Sequence, residues 1–265
     1  MGLLKKSSPW EKEYRRVWQQ EEKFLAKYEE KEPGAIRMKL EEMAPDKLVE
    51  TLHAAFMKAF ALVFEKGTGA ILKAGKVEER REAYQIRQYA ADLRENRKNL
   101  RAFSKTAGRA GRGNVLLSGV AGVGMGAFGV MLPDVPLFTA LLLKSIYETG
   151  ESYGYQTEQE QLYALRLIEA AFSHGEDLRE KSAALDAYAQ RGEWQEGTNL
   201  KQQMEASARK LSEAVLYAKV IQNIPLVGAA GGAGDAVVLS RVQRYAAIKY
   251  EKRFLIRRKL EQGKQ

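Results

Sequence analysis

The sequence predicts an all-α fold, a helical bundle in which no sheet is expected, and three observations support this prediction. Apolar residues recur at helical spacing, and no segment shows the sustained period-two alternation of a strand. Helix start signals are present, as where Ser8, Pro9 and Glu11 combine a capping box with a proline in the first turn. Two glycine-dense stretches, residues 113–143 and 220–240, carry one formal charge each. We therefore expect the bundle to contain two glycine-rich apolar helical segments.

The individual helices follow from apolar periodicity and from the Pro and Gly residues that interrupt it. Leu52, Phe56 and Phe60, for example, share one face of the second helix. Residues 77–106 suggest one long, basic, mostly exposed helix, and residues 153–155 suggest a turn. The expected helices span approximately residues 9–33, 45–67, 70–76, 77–106, 114–132, 136–150, 157–172, 176–191, 199–223 and 225–260.

Positive charge is concentrated in two blocks, although the whole chain carries a net charge of only +9. Residues 80–112 hold ten basic and three acidic residues, and residues 241–265 hold nine basic and two acidic residues. Each block adjoins an apolar stretch. Basic clusters are attracted to anionic lipid by about 1 kcal/mol per residue near the surface. Nucleic acid is not favoured, because no recognition motif is present and aromatic residues do not interleave with the basic ones.

The apolar stretches favour membrane contact, by shallow or hairpin insertion, and a tightly packed soluble core is the alternative. Residues 114–132 have about the length that a membrane-spanning helix needs. Small residues recur at four-residue spacing, which lets helix backbones approach closely. These helix-packing or lipid-contacting glycines are Gly122, Gly126, Gly228 and Gly232.

Further candidate site residues lie within or beside the apolar stretches. Asp134 and Asp235 are single acids in apolar surroundings, where a charge is costly and often functional. Asp134 is also placed to cap the helix that follows Pro133, and Pro225 marks a second bend. The basic flanks that we expect to face lipid headgroups are Arg109, Arg112, Arg241 and Arg244.

Enzyme chemistry finds little support in the sequence. The chain has no cysteine, which excludes disulfides, cysteine metal sites and thiol catalysis. Residues 124–129 match the G-x-G-x-x-G pattern but lack the strand-to-helix context of a dinucleotide site. The only histidines are His53 and His174, and no zinc-binding or G-x-S-x-G motif occurs. We therefore predict no catalytic residues, no metal and no cofactor.

Three patches of the chain resemble the EcsC family, bacterial proteins named for an open reading frame beside an ABC-transporter gene pair. The patches lie in residues 126–155, 160–165 and 224–255. One departure is Asp235, which stands where the family is associated with an amide. The resemblance implies a bacterial, intracellular protein near transport machinery. With the N-terminal helix indicated by its cap and apolar face, we expect two parts, an N-terminal amphipathic helix, residues 1–34, and an EcsC-like helical domain, residues 35–265.

The leading functional hypothesis is a non-catalytic, membrane-associated protein on the cytoplasmic face of the inner membrane. Its expected partners are anionic lipid and membrane proteins such as ABC transporters. The sequence leaves open whether the chain forms a homo-oligomer. One alternative is a soluble helical module that binds an apolar or lipid ligand. A second is a hydrolase-type enzyme that uses Asp134 and Asp235.

Overall fold

The fold is all-α, as the sequence predicts. The computed structural model of the chain describes residues 7–30, 46–67, 77–109, 135–156, 160–194, 197, 199–221 and 231–263. Every regular element within these ranges is a helix, and no β-strand occurs in them. The predicted helices at residues 70–76 and 114–132 lie outside the described residues.

Nine helices cover the described part of the chain. Helix α1 begins with the predicted capping box, since Ser8 Oγ accepts a hydrogen bond from the backbone N–H of Glu11, and the Glu11 carboxylate accepts one from the Ser8 N–H. The helices are α1 (Pro9–Lys27), α2 (Asp46–Lys66), α3 (Val77–Leu93), α4 (97–109), α5 (Val135–Glu151), α6 (Gln161–Ala171), α7 (Gly175–Arg191), α8 (Leu200–Ile221) and α9 (Gly231–Gln262).

The C-terminal helix α9 is the centre of the bundle. It packs against α1, α5, α6, α7 and α8, while α2 packs against α5 and α8 on the far side. Because neighbours surround it, α9 buries side chains around much of its circumference, including Val242, Tyr245, Tyr250 and Phe254. Four of its charged residues, Lys249, Glu251, Lys252 and Arg258, therefore also point into the protein, and the structure must supply partners for them.

Helices α5 and α9 run parallel and begin at the same end of the bundle. Gln243 of α9 bonds to Ser145 and Thr149 of α5, and one to two turns further along Gly150 lies against the Tyr250 ring. Counting back from these contacts at 1.5 Å per residue, the first residues of both helices lie about 15 to 18 Å away in the same direction. The two apolar stretches of the sequence enter these two helices, so both are attached to one end of the bundle.

Helix α4 runs antiparallel to α9 and points toward that same end. Near its start, Glu95 accepts a hydrogen bond from Arg258 at 2.9 Å, and further along Phe103 packs on Phe254 with ring centroids 4.5 Å apart. The first apolar stretch follows α4 in the chain. Its two described flanking helices, α4 and α5, therefore both lead to one end of the molecule.

The prediction of a single helix over residues 77–106 is wrong. The chain leaves the helix at residues 94–96 and starts α4 at residue 97. The Asn96 side chain caps the new helix by accepting the Asn99 backbone N–H at 2.9 Å, and Asn99 bonds back to Ala90 O at 2.9 Å. Leu93, the last residue of α3, is 69% exposed.

The predicted turn at residues 153–155 is confirmed, and its glycine is required there. Gly154 has φ +81°, and an added Cβ would lie 2.4 Å from the Tyr84 ring. The turn buries Tyr153 and Tyr155 on either side of this glycine. It thereby holds the end of α5 against α3.

Candidate functional site: a basic groove filled by helix α1

Helix α1 places two glutamates on its buried face. Glu13, Val17, Glu21 and Phe24 follow one another at spacings of four, four and three residues, so they share one side of the helix. This side packs on α9, and the exposed fractions of Glu13 and Glu21 are only 1% and 2%. A carboxylate at this depth needs cationic or hydrogen-bonding partners.

The partners of Glu21 are two lysines of α9. Its Oε1 accepts from Lys249 Nζ at 2.6 Å and from Ser182 Oγ at 2.8 Å, and its Oε2 accepts from Lys252 Nζ. Asp186 of α7 completes the cluster by accepting from both lysines. Two carboxylates thus face two ammonium groups, and the cluster has no net charge.

The electrostatics of this cluster favour the ionised state of Glu21. Burial alone would raise its pKa, but the attraction of Lys249 and Lys252 and their hydrogen bonds outweigh burial and lower it. The pKa of Lys252 is raised, because its acidic partners Asp186 and Glu21 outweigh its burial and the repulsion from Lys249. Both shifts depend on α1 being docked, because Glu21 belongs to that helix.

Glu13 binds three arginines at the other end of α1. It accepts from Arg97 at 2.6 Å and from Arg101 at 3.0 Å, both of α4, and from Arg16 at 2.7 Å. Burial raises the pKa of Glu13, but these three hydrogen bonds bring it below its ordinary value. Arg16 also pairs with Glu251, whose pKa is raised because burial exceeds the effect of that one arginine.

The C-terminal end of α1 continues the same pattern. Arg179 of α7 pairs with Glu29 at 2.7 Å and lies 3.6 Å from Glu22. The guanidinium carbon of Arg241 lies 3.6 Å from the centre of the Tyr28 ring, within the range of a cation–π contact.

These contacts define a groove between α4, α7 and α9 that α1 fills. We call it the basic groove. The cationic side chains of the groove that contact α1 or its C-terminal turn are Arg97, Arg101, Arg179, Arg241, Lys249 and Lys252. Four acids of α1 and its C-terminal turn meet the groove: Glu13, Glu21, Glu22 and Glu29.

Arg253, a largely buried cation of α9, lies outside the groove. It donates to Glu160 at 2.7 Å and is surrounded by the rings of Tyr155, Tyr163 and Tyr188, the nearest centroid being 3.9 Å away. Burial raises the pKa of Tyr155 to about 12 and that of Tyr163 well above 10. These phenols stay protonated at neutral pH, and the arrangement suits packing around a cation rather than nucleophilic chemistry.

Two absences can be stated for the part of the chain that the structure describes. No group of three or more His, Cys, Asp or Glu in the described ranges is arranged to hold a metal ion. Among the described helices, none combines the length and the apolar character needed to cross a membrane.

Most of the site residues expected from the sequence lie outside the described residues: Gly122, Gly126, Pro133, Asp134, Pro225, Gly228 and Arg112. Gly232 and Asp235 belong to the first turns of α9. Arg109 is exposed at the last described position of α4, and Arg244 is exposed on α9. Arg241 instead packs on Tyr28 and Phe172.

The basic groove itself was not predicted. Its signal was present, since Glu13 and Glu21 lie at helical spacing with Val17, and Tyr245, Lys249 and Lys252 have the spacing of one face of α9. A charge on an apolar face indicates a buried partner. The sequence alone does not show which distant segment provides it.

Comparison with known proteins identifies the family of this chain. The family model described as the EcsC protein family matches residues 11–255. The chain belongs to the EcsC protein family. The match begins inside α1 and ends inside α9, so both sides of the Glu21 cluster fall within it. No curated protein and no solved structure matches the chain.

Proposed function

We propose that this EcsC family chain is a non-catalytic, membrane-associated protein that contacts anionic lipid on the cytoplasmic face. The observation that carries the proposal is the parallel arrangement of α5 and α9, which attaches both apolar stretches to one end of the bundle. A protein that meets a bilayer from one side needs its lipid-contacting segments on one side.

The composition of those stretches supports the same function. The segments that lead into α5 and α9, residues 113–134 and 222–230, contain a single formal charge, Asp134, whereas residues 135–143 and 231–240 of the two stretches belong to α5 and α9 themselves. A segment with so few charges transfers into an apolar phase at low cost, whereas each central charge costs about 2.5 to 3.5 kcal/mol. The highly charged bundle would stay in water. Membrane proteins such as transporters would then be partners that meet the same end.

Vesicle flotation tests this function directly. The full chain is mixed with vesicles of phosphatidylcholine, with or without phosphatidylglycerol, and we expect it to float only with the anionic vesicles. Phe128→Asp places a charge in the first apolar stretch and should weaken flotation. Ile86→Asp is the matched control, because it adds the same charge at a position of α3 that is 71% exposed.

The possible outcomes separate the candidate functions. A chain that ignores both kinds of vesicle contradicts the proposal. If such a chain also carries lipid through a detergent-free purification, the alternative of a soluble lipid-binding module is supported. Equal loss of flotation in both variants would show that the apolar stretch is not the part that contacts lipid.

A further inference from the structure

We infer that α1 is a displaceable cover, and that the basic groove beneath it binds the phosphate groups of an anionic membrane once α1 leaves. The inference rests on the proposed membrane function and adds a regulation to it. In the closed state that the structure shows, the acids of α1 occupy the cations that would otherwise attract lipid headgroups.

Charge complementarity identifies the partner as anionic. The groove contributes six cationic side chains from three helices, and Asp186 is the acid of α7 that also contacts its lysines. Removing α1 withdraws Glu13 and Glu21, the two acids that lie deepest in the groove, and it also withdraws Arg16 from Glu251 of α9. The groove then keeps six cations against two acids, Asp186 and Glu251. The surface left behind carries an excess of positive charge, and it is this surface that an anionic bilayer would attract.

Phosphate can replace the carboxylates of α1 without a change in the kind of bond. Ammonium and guanidinium groups form charge-assisted hydrogen bonds with either anion, and arginine matches both in geometry. Once α1 leaves, water can solvate both members of the buried pairs of Glu13 and Glu21, so these pairs add little net stability over their desolvation, and the exposed pairs of Glu22 and Glu29 add only about 0 to 1 kcal/mol each. An exchange of one set of anions for another is therefore feasible at a charged surface.

The apolar contacts of α1 oppose release and set its cost. Val17, Phe24 and Leu25 are buried in the core, Trp10, Tyr14 and Tyr28 pack against it, and Trp10 donates a hydrogen bond to Leu255 O at 2.8 Å. Release is therefore possible only where the membrane takes up this apolar face. Aromatic and aliphatic residues on one face of a charged helix are what a membrane interface accommodates. Fifteen residues separate Glu30 from Asp46, which is enough chain for α1 to move while α2 stays in place.

Hydrogen exchange on the unmodified full chain tests the release of α1. With phosphatidylglycerol vesicles, we expect faster amide exchange in peptides that cover residues 8–30, and no change with phosphatidylcholine vesicles alone. Peptides of α6, Gln161–Ala171, serve as the internal control, because this helix packs in the core away from the groove. A vesicle-bound chain in which α1 exchanges as slowly as in free protein overturns the inference.

A reducible tether provides the second test. The chain has no cysteine, so Trp10→Cys with Lys259→Cys creates a single thiol pair at the start of α1, the end farthest from its connection to α2, where the Lys259 ammonium group now lies 5.4 Å from the centre of the Trp10 ring. Closing a disulfide-containing bis-maleimide across the pair should lower affinity for anionic vesicles at least about tenfold, since each basic residue near the surface changes it roughly fivefold. Reducing the linker in the same sample should restore binding.

The tether also separates the two proposals. Equal vesicle binding by the tethered and the released protein would contradict the proposal that α1 is a displaceable cover, but it would not contradict the proposed membrane function. If neither sample nor the unmodified chain binds anionic vesicles, both proposals fail.

Discussion

Replacing Glu21 by glutamine should destabilise the fold more than any change to a surface ion pair. The substitution keeps the size of the side chain and removes its charge. Lys249 and Lys252 would then share only Asp186, and a cluster that is neutral in the native protein would carry one uncompensated positive charge.

The magnitude follows from the burial of these groups. Lys249 and Glu21 expose only 1% and 3% of their side chains, so water cannot solvate the ammonium group that loses its partner. Removing one member of a buried pair typically costs about 3 to 5 kcal/mol. We expect the Glu21→Gln variant to lose about that much free energy of unfolding near pH 7.

Urea denaturation followed by circular dichroism measures the effect. Glu29→Gln is the matched control, because its pair with Arg179 leaves 48% of the Glu29 side chain exposed, and its effect should be too small to resolve. Adding Lys249→Met to Glu21→Gln should recover part of the lost stability, since the unpaired charge is gone. A loss below about 1 kcal/mol for Glu21→Gln would refute the reasoning that the cluster is desolvated.

Three further predictions concern the backbone and pH. Gly154→Ala should lose about 2 to 4 kcal/mol of unfolding free energy in urea, because it combines φ +81° with a clash against Tyr84; Gly192→Ala, at φ +79° with nothing within 4 Å, should lose only about 1 kcal/mol. Asn96→Ala removes the cap of α4 and should cost about 1 kcal/mol in the same assay; an unchanged midpoint would contradict the capping role. Burial, followed by repulsion from Arg241 and Lys210, lowers the pKa of His174 from 6.5 to about 4. As the pH falls from 6.5 to 4, the unfolded chain therefore protonates this histidine before the folded chain does. The protein should lose about 1 to 2 kcal/mol of unfolding free energy over that window. This loss is smaller than the full pKa shift implies, because the ring is only half buried. His174→Gln should remove this part of the pH dependence, and an identical slope in the variant would show that other groups cause it.

Local signals in the sequence were enough to predict most of the described helices. The start of α1 could be predicted because Ser8, Pro9 and Glu11 act within one turn. The apolar face of α2 could be predicted because Phe56 and Phe60 are four residues apart, and both are buried in the structure. Such features depend on neighbours in the chain, and tertiary structure does not change them.

The break between α3 and α4 was missed for a local reason of a different kind. Helix propensity and charge continue through residues 94–96, so the sequence favours an unbroken helix. The cap that Asn96 provides competes with that continuation, and packing decides the outcome. Phe103 of α4 packs on Phe254 of α9, whereas α3 packs against α5. One straight helix could not make both of these contacts.

The role of the basic residues could not be predicted, because their partners are remote in the chain. Residues 241–265 have a large positive charge when counted alone. In the structure Lys249 pairs with Glu21, Arg253 with Glu160 and Arg258 with Asp92. Counting charge along a chain measures attraction to outside anions only when the side chains face water.

The same pairing changes how membrane attraction has to be understood in this chain. A permanently exposed basic surface would bind any polyanion at all times, whereas cations that are paired with a helix of the same chain bind only when that helix gives way. The strength of lipid binding then depends on the difference between two ion pairings. Salt weakens the lipid contact and the exposed pairs of Arg179 with Glu22 and Glu29, whereas it screens the buried pairs of Glu13 and Glu21 much less. Added salt should therefore weaken the lipid contact more than it loosens α1, so the vesicle affinity of the unmodified chain should fall steeply with salt.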